Sequence, residues 1–268
     1  FMAPLPYFFV RQYSVVPVMR VLYGLTFVLM TSKFFILYAF TRETSLGRRR
    51  REEFRGRSIL RHLLDSRNVL ARMLKTPRVM VTLGLMACLG AIRSVNATFW
   101  PLFITGKLGI ASEHLSVFAA FQSLAMMGGY FVLAPRLRAD RFRTPLMAAF
   151  ACLGAVQGMR LWLGEGAYVW LVLGVAVEAV ALSVIQPLIS SLQMLHVDRE
   201  ERARMNGLLL ASFLLITSPM GVLAGWLSQQ DRALPFALSL SLVCLALRLS
   251  AKAWRIRREE AAQGVQAA

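Results

Sequence analysis

Acidic residues are scarce in this chain. It has 14 aspartates and glutamates against 31 lysines and arginines, which gives a formal net charge of +17 at pH 7. On a water-soluble protein this balance would suggest a nucleic-acid partner. Here the basic residues are concentrated in loops between long apolar runs, and 57% of the residues are hydrophobic. We therefore expect a lipid bilayer, and no nucleic acid, as the partner of this chain.

Cysteine and histidine are also rare, with three of each. The cysteines lie inside apolar runs and the histidines lie in separate loops; they are Cys88, Cys152, Cys244, His62, His114 and His196. This distribution has neither a disulfide pattern nor the spacing of metal ligands. The chain also lacks a glycine-rich phosphate loop with a following lysine. We predict no catalytic residue, no cofactor and no metal site, and therefore neither an enzyme nor an ATP-driven pump.

Long apolar runs dominate what is present. A run of about 20 apolar residues crosses a bilayer as a helix. Seven runs approach or exceed this length, at about 15–40, 79–103, 115–134, 146–163, 168–192, 208–227 and 233–251. The predicted fold class is an all-α membrane protein with about seven transmembrane helices.

The strongly basic segment 41–78 determines the predicted orientation, because a positive loop between two spans faces the cytoplasm. With this loop inside, the inner segments carry 23 of the 31 lysines and arginines, and the outer segments carry three. We expect a multi-pass protein of the cell (inner) membrane, with its N-terminus outside and its C-terminus in the cytoplasm. Apolar residues at helical spacing within 41–78 further predict an amphipathic helix on the inner membrane surface.

Few charged side chains lie deep inside the predicted spans, and such residues usually face the protein interior and serve a function. Glu178 is near the middle of its span, and Arg93 lies at a similar depth in another. We predict a buried pair or proton-linked site of Arg93 and Glu178, with Asn96 on the same helix face as Arg93 to bind substrate. The alternative is a structural pair that only locks helices together.

Other polar residues in the spans are weaker candidates. The four glutamines Gln122, Gln157, Gln186 and Gln193 are more typical of hydrogen bonds between helices than of substrate contacts. Among them Gln186 is retained as a substrate or coupling candidate. Arg160 and Arg248 lie near span ends, where we expect long basic side chains to reach the headgroup region.

Three short motifs, together with the topology, carry a family resemblance. They are the sequence FTRET at 40–44 followed by Gly47 and an arginine run, the loop LRADR at 137–141, and the group Arg202, Arg204, Asn206 and Gly207. Over about 15–253 the chain resembles the C-terminal half of a major facilitator superfamily (MFS) transporter. It departs from that pattern at Arg136 and Arg143, where the family's acidic–basic loop usually has glycine.

The resemblance implies a division of the chain into four parts. Residues 1–40 would include the last helix of a missing N-terminal bundle, and 41–78 would be the cytoplasmic central loop. Residues 79–253 would form a six-helix bundle, followed by a cytoplasmic tail at 254–268. The chain also begins without a signal-peptide pattern, which again suggests a piece of a longer protein.

The resemblance also implies function. It predicts secondary transport by rocking between inward-open and outward-open states. It also places a gate loop at Asp140 and Arg141. The mostly aliphatic and aromatic spans, with few polar groups, favour a small, apolar or drug-like solute, and H⁺ is the expected coupling ion. Pro187 and Pro219 are expected to kink their helices and either to act as hinges or only to shape the packing. Two alternatives remain: a seven-span membrane receptor or scaffold that transports nothing, and an inactive truncated remnant.

Overall fold

The computed structural model describes residues 15–41, 77–137, 142–195 and 202–266. This part of the chain is helical and contains no β-strand. Its seven α-helices are α1 (Val15–Phe40), α2 (Pro77–Gly106), α3 (His114–Val132), α4 (Arg143–Trp162), α5 (Tyr168–Leu195), α6 (Arg202–Gln230) and α7 (Leu234–Gln266), with a short 3₁₀ turn at Ala134–Arg136 after α3. The prediction of an all-α protein is confirmed. Helix α1 belongs to a compact unit separate from the other six helices.

Five of these helices are long and apolar enough to cross a membrane within the described residues: α1, α2, α3, α5 and α7. Large apolar side chains are also exposed on the outside of the helices, such as Phe131 and Leu215, which are 77% and 78% exposed. In a membrane protein such side chains contact lipid tails, whereas in water they would form adhesive patches. The chain is therefore a multi-pass membrane protein.

The helices predicted at 146–163 and 208–227 are present as α4 and α6, but neither is among the five. In α4 the polar residues Gln157 and Arg160 lower the apolar character of the last two turns, and both side chains are buried against other helices. In α6 the part of the helix whose side chains are described ends with the polar residues Gln229 and Gln230.

Helices α2, α4, α5 and α7 bury side chains that alternate in steps of four and three residues. This spacing keeps one stripe of each helix facing its neighbours. The buried stripes are 81, 85, 88, 92 and 95 in α2; 146, 150, 153, 157 and 160 in α4; 171, 175, 178, 182 and 185 in α5; and 236, 239, 243, 246 and 250 in α7. Helix α7 packs on α2 and α4, α5 packs on α3 and α4, and α6 packs on α2.

Two apolar clusters form along these stripes. One contains residues that come earlier in α2 and α4 and later in α5 and α7 than the residues of the second cluster, including Leu85, Phe150, Ile185 and Val243. The other contains residues that come later in α2 and α4 and earlier in α5 and α7, including Phe103 and Phe236. Helices α2 and α4 thus run in one direction, and α5 and α7 run in the other. Between the two clusters, each of the four helices presents at least one buried polar side chain.

Helix α7 continues well beyond the predicted end of the last span near residue 251, and reaches Gln266. The Arg143 guanidinium at the start of α4 lies 4.2 Å from the centre of the Trp254 ring. This cation–π contact secures the first turn of the extension to the bundle. The apolar run therefore indicated how far the hydrophobic segment extends and not where the helix ends.

The turn between α6 and α7 is joined to the end of α2 by an ion pair between Lys107 Nζ and Asp231 Oδ1 at 3.0 Å. The Ala233 N–H also donates a hydrogen bond to Asp231 Oδ1 at 2.8 Å. The backbone hydrogen bond from Ala233, together with Lys107, holds the pKa of Asp231 below its ordinary value. These contacts stabilise the fold while Asp231 is ionised.

We expect acid to remove this contribution. A carboxyl with a lowered pKa in the folded state stabilises the fold above its unfolded pKa of about 4, and loses that effect as the pH falls through the folded value. Because the pair is largely exposed, the effect is about 0–1 kcal/mol. In thermal unfolding, Asp231→Asn should therefore lower the midpoint slightly at pH 7 and leave it unchanged near pH 2. A difference that is equal at both pH values would contradict this assignment.

Candidate functional site

The polar residues between the two apolar clusters form one hydrogen-bonded network across four helices. Ser239 Oγ of α7 donates to Asn96 Oδ1 of α2 at 3.1 Å, and Asn96 Nδ2 donates to Glu178 Oε1 of α5 at 2.8 Å. The other carboxylate oxygen, Glu178 Oε2, accepts a short hydrogen bond from Arg160 Nη2 of α4. Asn96, Glu178, Arg160 and Ser239 are all buried. We call these four residues together with Gln157 the polar layer.

Arg160 is the most enclosed charge in the polar layer, with 1% of its surface exposed. Besides Glu178, its guanidinium donates from Nη1 to Gln157 Oε1 at 3.1 Å. Its Cζ atom lies 4.4 Å from the centre of the Trp100 ring and 5.1 Å from that of Phe236. A guanidinium is well suited both to stacking on aromatic rings and to donating several hydrogen bonds in one plane.

The prediction for Arg160 was therefore wrong. Its position near a span end suggested that the side chain reaches the headgroups. In the structure it points into the bundle, because it continues the buried stripe of α4. Leaving that stripe would leave the Glu178 carboxylate buried without a counter-charge, which is strongly unfavourable.

The prediction that Glu178 pairs with Arg93 was also wrong. Glu178 forms its ion pair with Arg160. On α2 it is Asn96, one turn beyond Arg93, that is level with Glu178 and hydrogen-bonded to it. Arg93 is exposed and lines a cavity beside the polar layer. Depth alone did not distinguish the two arginines, since the rotation of each side chain about its helix axis decides which one faces Glu178.

This cavity has a volume of about 240 Å³ and lies among α2, α3 and α5, with Arg160 of α4 contributing to its wall. Its polar wall consists of Arg93, Asn96, Gln122, Ser123, Arg160 and Glu178. Its apolar wall consists of Ala97, Trp100, Phe118, Met126, Val175 and Leu182. Asn96 and Glu178 lie near the middle of their candidate spans, and so does the cavity that they line.

The remaining polar candidates are distributed differently. The Tyr130 hydroxyl donates a hydrogen bond to Gln186 Oε1 at 3.2 Å, which links α3 to α5. Gln122 lines the cavity, and Gln157 lies in the polar layer. Nothing is described of the Gln193 side chain.

The predicted hinges lie inside continuous helices, Pro187 in α5 and Pro219 in α6. The predicted gate residues Asp140 and Arg141 lie outside the described residues. Within the described residues, no group of three or more histidine, cysteine, aspartate or glutamate side chains is arranged to bind a metal ion.

Sequence reasoning missed three important residues of this region, namely Arg160, Ser239 and Trp100. A signal for the first two was present. Residues 146, 150, 153, 157 and 160 alternate by four and three, as do 236, 239, 243 and 246. Following these stripes would have placed Arg160 and Ser239 on buried faces. Trp100 is one of many aromatic residues in the spans, and its contact with Arg160 follows only from the packing of both α2 and α4 on α7.

No family model, curated protein or solved structure matches this chain. Its classification as a membrane protein rests on its helices and composition. The polar layer and the cavity are the features that bear on its function.

Proposed function

We propose that this chain is part of a secondary transporter of the MFS type, which moves a small amphipathic solute through the membrane in exchange or together with protons. One observation carries the proposal: a cavity near the middle of the candidate spans whose wall contains an exposed arginine, Arg93, and a buried ion pair, Arg160–Glu178. Charges inside a bilayer are costly and typically mark a solute or ion pathway.

The position of Arg93 supports a wet or occupied cavity. Its guanidinium lies within the candidate span of α2 and is exposed. Facing lipid tails there would cost at least about 2.5 kcal/mol. A cavity filled with water or solute supplies the hydrogen-bond acceptors that lipid tails lack. A helix interface that only stabilises the bundle does not require an exposed charge at this depth.

Glu178 is the proposed proton acceptor. Both of its oxygens accept hydrogen bonds when it is ionised, one from Asn96 and one from Arg160. A proton added to Oε2 would occupy the position that Arg160 Nη2 now uses and would remove the negative charge that balances Arg160. Through Asn96 and Arg160 this change would reach α2, α4 and α7. Loss of the proton to the other side of the membrane would restore the pair.

In this proposal α2–α7 are the six-helix bundle that forms one wall of the transport pathway, and α1 is the last helix of a preceding bundle. The two bundles would rock about the central cavity. The basic segment 41–78 would face the cytoplasm and connect them. The orientation with the N-terminus outside belongs to the same proposal.

The test is solute flux in liposomes. The chain, and a longer chain if the upstream reading frame encodes further spans, would be reconstituted and assayed for uptake of a panel of dyes and drugs with and without a pH gradient. We expect gradient-dependent uptake, and a loss of at least ten-fold in that uptake for Glu178→Gln, because glutamine cannot carry a proton.

Glu165→Gln is the matched control, since Glu165 is exposed in the loop between α4 and α5. Flux would be normalised to folded protein, because the variant at Glu178 leaves Arg160 without its counter-charge. If Glu178→Gln retains full gradient-dependent flux, proton coupling through this residue is excluded. If no form moves any solute and the chain is well folded, a receptor, a scaffold or an inactive remnant becomes the better explanation.

A further inference from the structure

The charged groups in the wall of the cavity do not balance. Two guanidinium groups, those of Arg93 and Arg160, face one carboxylate, that of Glu178. Glu178 forms its ion pair with Arg160, and its other oxygen accepts a hydrogen bond from Asn96. Among the described residues, no hydrogen bond or ion pair involves Arg93. In the part of the chain that the structure describes, one positive charge in the cavity therefore has no counter-charge.

Hydrogen-bond donors are in surplus as well. Within the described residues, the buried Nε atom of Arg160 and the Nε2 atom of Gln157 have no acceptor. Unsatisfied buried donors are costly, and water or a ligand usually supplies the missing oxygen. Of these two residues only Arg160 lines the cavity, so it is chiefly the charge surplus there that favours an acceptor with negative charge.

The rest of the cavity is apolar and aromatic. Trp100 and Phe118 form an edge-to-face pair with ring centres 6.5 Å apart, and both rings line the cavity. Met126, Val175 and Leu182 add aliphatic surface. The volume of about 240 Å³ is slightly below the usual range of ligand pockets, about 300–1,000 Å³. A ligand that fits is small, with one charged end and an apolar body.

Arg93 is better placed than Arg160 to hold the charged end. Arg160 is already bonded to Glu178 and Gln157 and stacked on Trp100. Arg93 precedes Ala97 by four residues and Trp100 by seven, so these side chains follow one face of α2 towards the aromatic part of the wall. A ligand anchored on Arg93 can therefore lay its apolar body along Ala97 and Trp100.

We infer that the cavity binds a small amphipathic monocarboxylate, with the carboxylate on the Arg93 guanidinium and the apolar body against Trp100 and Phe118. A guanidinium matches the two oxygens of a carboxylate. A single uncompensated positive charge suits a monoanion better than a phosphate monoester, which carries a charge of about −1.5 to −2. This inference names the solute class of the proposed transporter and so rests on that proposal, but the binding can be tested without transport.

The first experiment compares three probes of nearly the same size and shape: benzoate, benzamide and benzylamine. The full chain would be purified into nanodiscs of phosphatidylcholine, which has no net charge to compete for Arg93, and binding would be followed by equilibrium dialysis at pH 7. We expect saturable binding of benzoate and at least ten-fold weaker binding of both other probes, because they lack the negative charge. Equal or stronger binding of benzylamine, or no saturable binding of benzoate, would overturn the inference.

The second experiment changes the anchor. Arg93→Gln should weaken benzoate binding by about ten-fold or more, as expected when a charge-assisted hydrogen bond is lost. Arg93→Lys should weaken it less, because the charge remains and the fork is lost. The matched control is Arg248→Gln, since Arg248 is exposed on α7 and lies away from the cavity; it should bind benzoate as the unmodified chain does. Unchanged binding by Arg93→Gln would exclude Arg93 as the anchor.

Failure of this inference is distinguishable from failure of the proposed function. Benzoate binding that depends on Arg93, without any flux in liposomes, would support the anion site and contradict transport. Gradient-driven flux of neutral or cationic solutes, without benzoate binding, would support transport and contradict the anion site.

Discussion

Replacing Glu178 with alanine is expected to lower the free energy of unfolding by about 3–5 kcal/mol, because breaking a buried ion pair leaves its other member without compensation. Arg160 is 1% exposed, and only the Glu178 carboxylate carries a charge opposite to it in the polar layer. Asn96 would also lose the acceptor of its Nδ2 hydrogen bond. The stability would be measured by unfolding in mixed detergent micelles, followed by loss of helical circular dichroism.

A second variant shows whether the charge or the packing is responsible. Removing both partners, as in Arg160→Met with Glu178→Leu, takes both charges out of the interior and keeps much of the volume. Such replacements are often neutral or stabilising. We expect the double variant to be more stable than either Glu178→Ala or Arg160→Met alone. If it is less stable than both, the network stabilises the bundle by more than mutual neutralisation.

The control for this series is Glu165→Ala. Glu165 is exposed in the α4–α5 loop, where substitutions usually change stability by no more than about 0.5 kcal/mol. A loss for Glu178→Ala no larger than that of the control would contradict the assignment of a compensated buried pair.

Substitution of Gly129 by leucine is expected to destabilise the protein by about 1–3 kcal/mol or more, through overpacking between α3 and α5. A β-carbon at Gly129 would meet the side chain of Ser183, and its distance from the Ser183 Cβ would be 2.9 Å. The Ser183 Cβ is bonded directly to the backbone and cannot rotate away, so α3 and α5 would have to separate. Both of them line the cavity, and we therefore expect benzoate binding to weaken as well.

The neighbouring glycine provides an unusually close control. A β-carbon at Gly128 would have no heavy atom within 4 Å. Gly128→Leu changes the same residue type in the same helix, with the same gain in helix propensity. It should not lower the stability and should leave benzoate binding unchanged. Equal losses for the two variants would mean that α3 and α5 are not packed closely at Gly129.

Much of the architecture could be predicted from the sequence because it depends on distances along the chain. An apolar run long enough to cross a bilayer must form a helix there, since no water is available to satisfy the backbone groups. The first and last residues of α2, α3 and α5 were predicted to within a few residues. The C-terminal end of α7 could not be predicted in this way, because its extension is polar and its first turn is held by the contact of Arg143 with Trp254.

The burial of Glu178 and Asn96 among other polar groups was also predictable, since a polar group inside a span must find a partner. Their partners were not. Arg93 and Arg160 both lie in apolar runs, and a single sequence contains no direct information about which helices are neighbours. Arg93 was predicted to be the partner of Glu178 because the two lie at a similar depth. Arg160 was expected to reach the headgroups because it lies near a span end.

The sequence by itself determined that this chain is helical, that it lies in a membrane, and that a few charges are buried there. These properties follow from local composition and from the high cost of exposing backbone and charge to lipid. Only the tertiary structure decided that Glu178 pairs with Arg160, that Asn96 and Ser239 complete the polar layer, and that Arg93 faces a cavity instead. The physical reason is that hydrogen bonds and ion pairs act over about 3 Å, so they depend on the rotation and packing of whole helices that are distant in sequence.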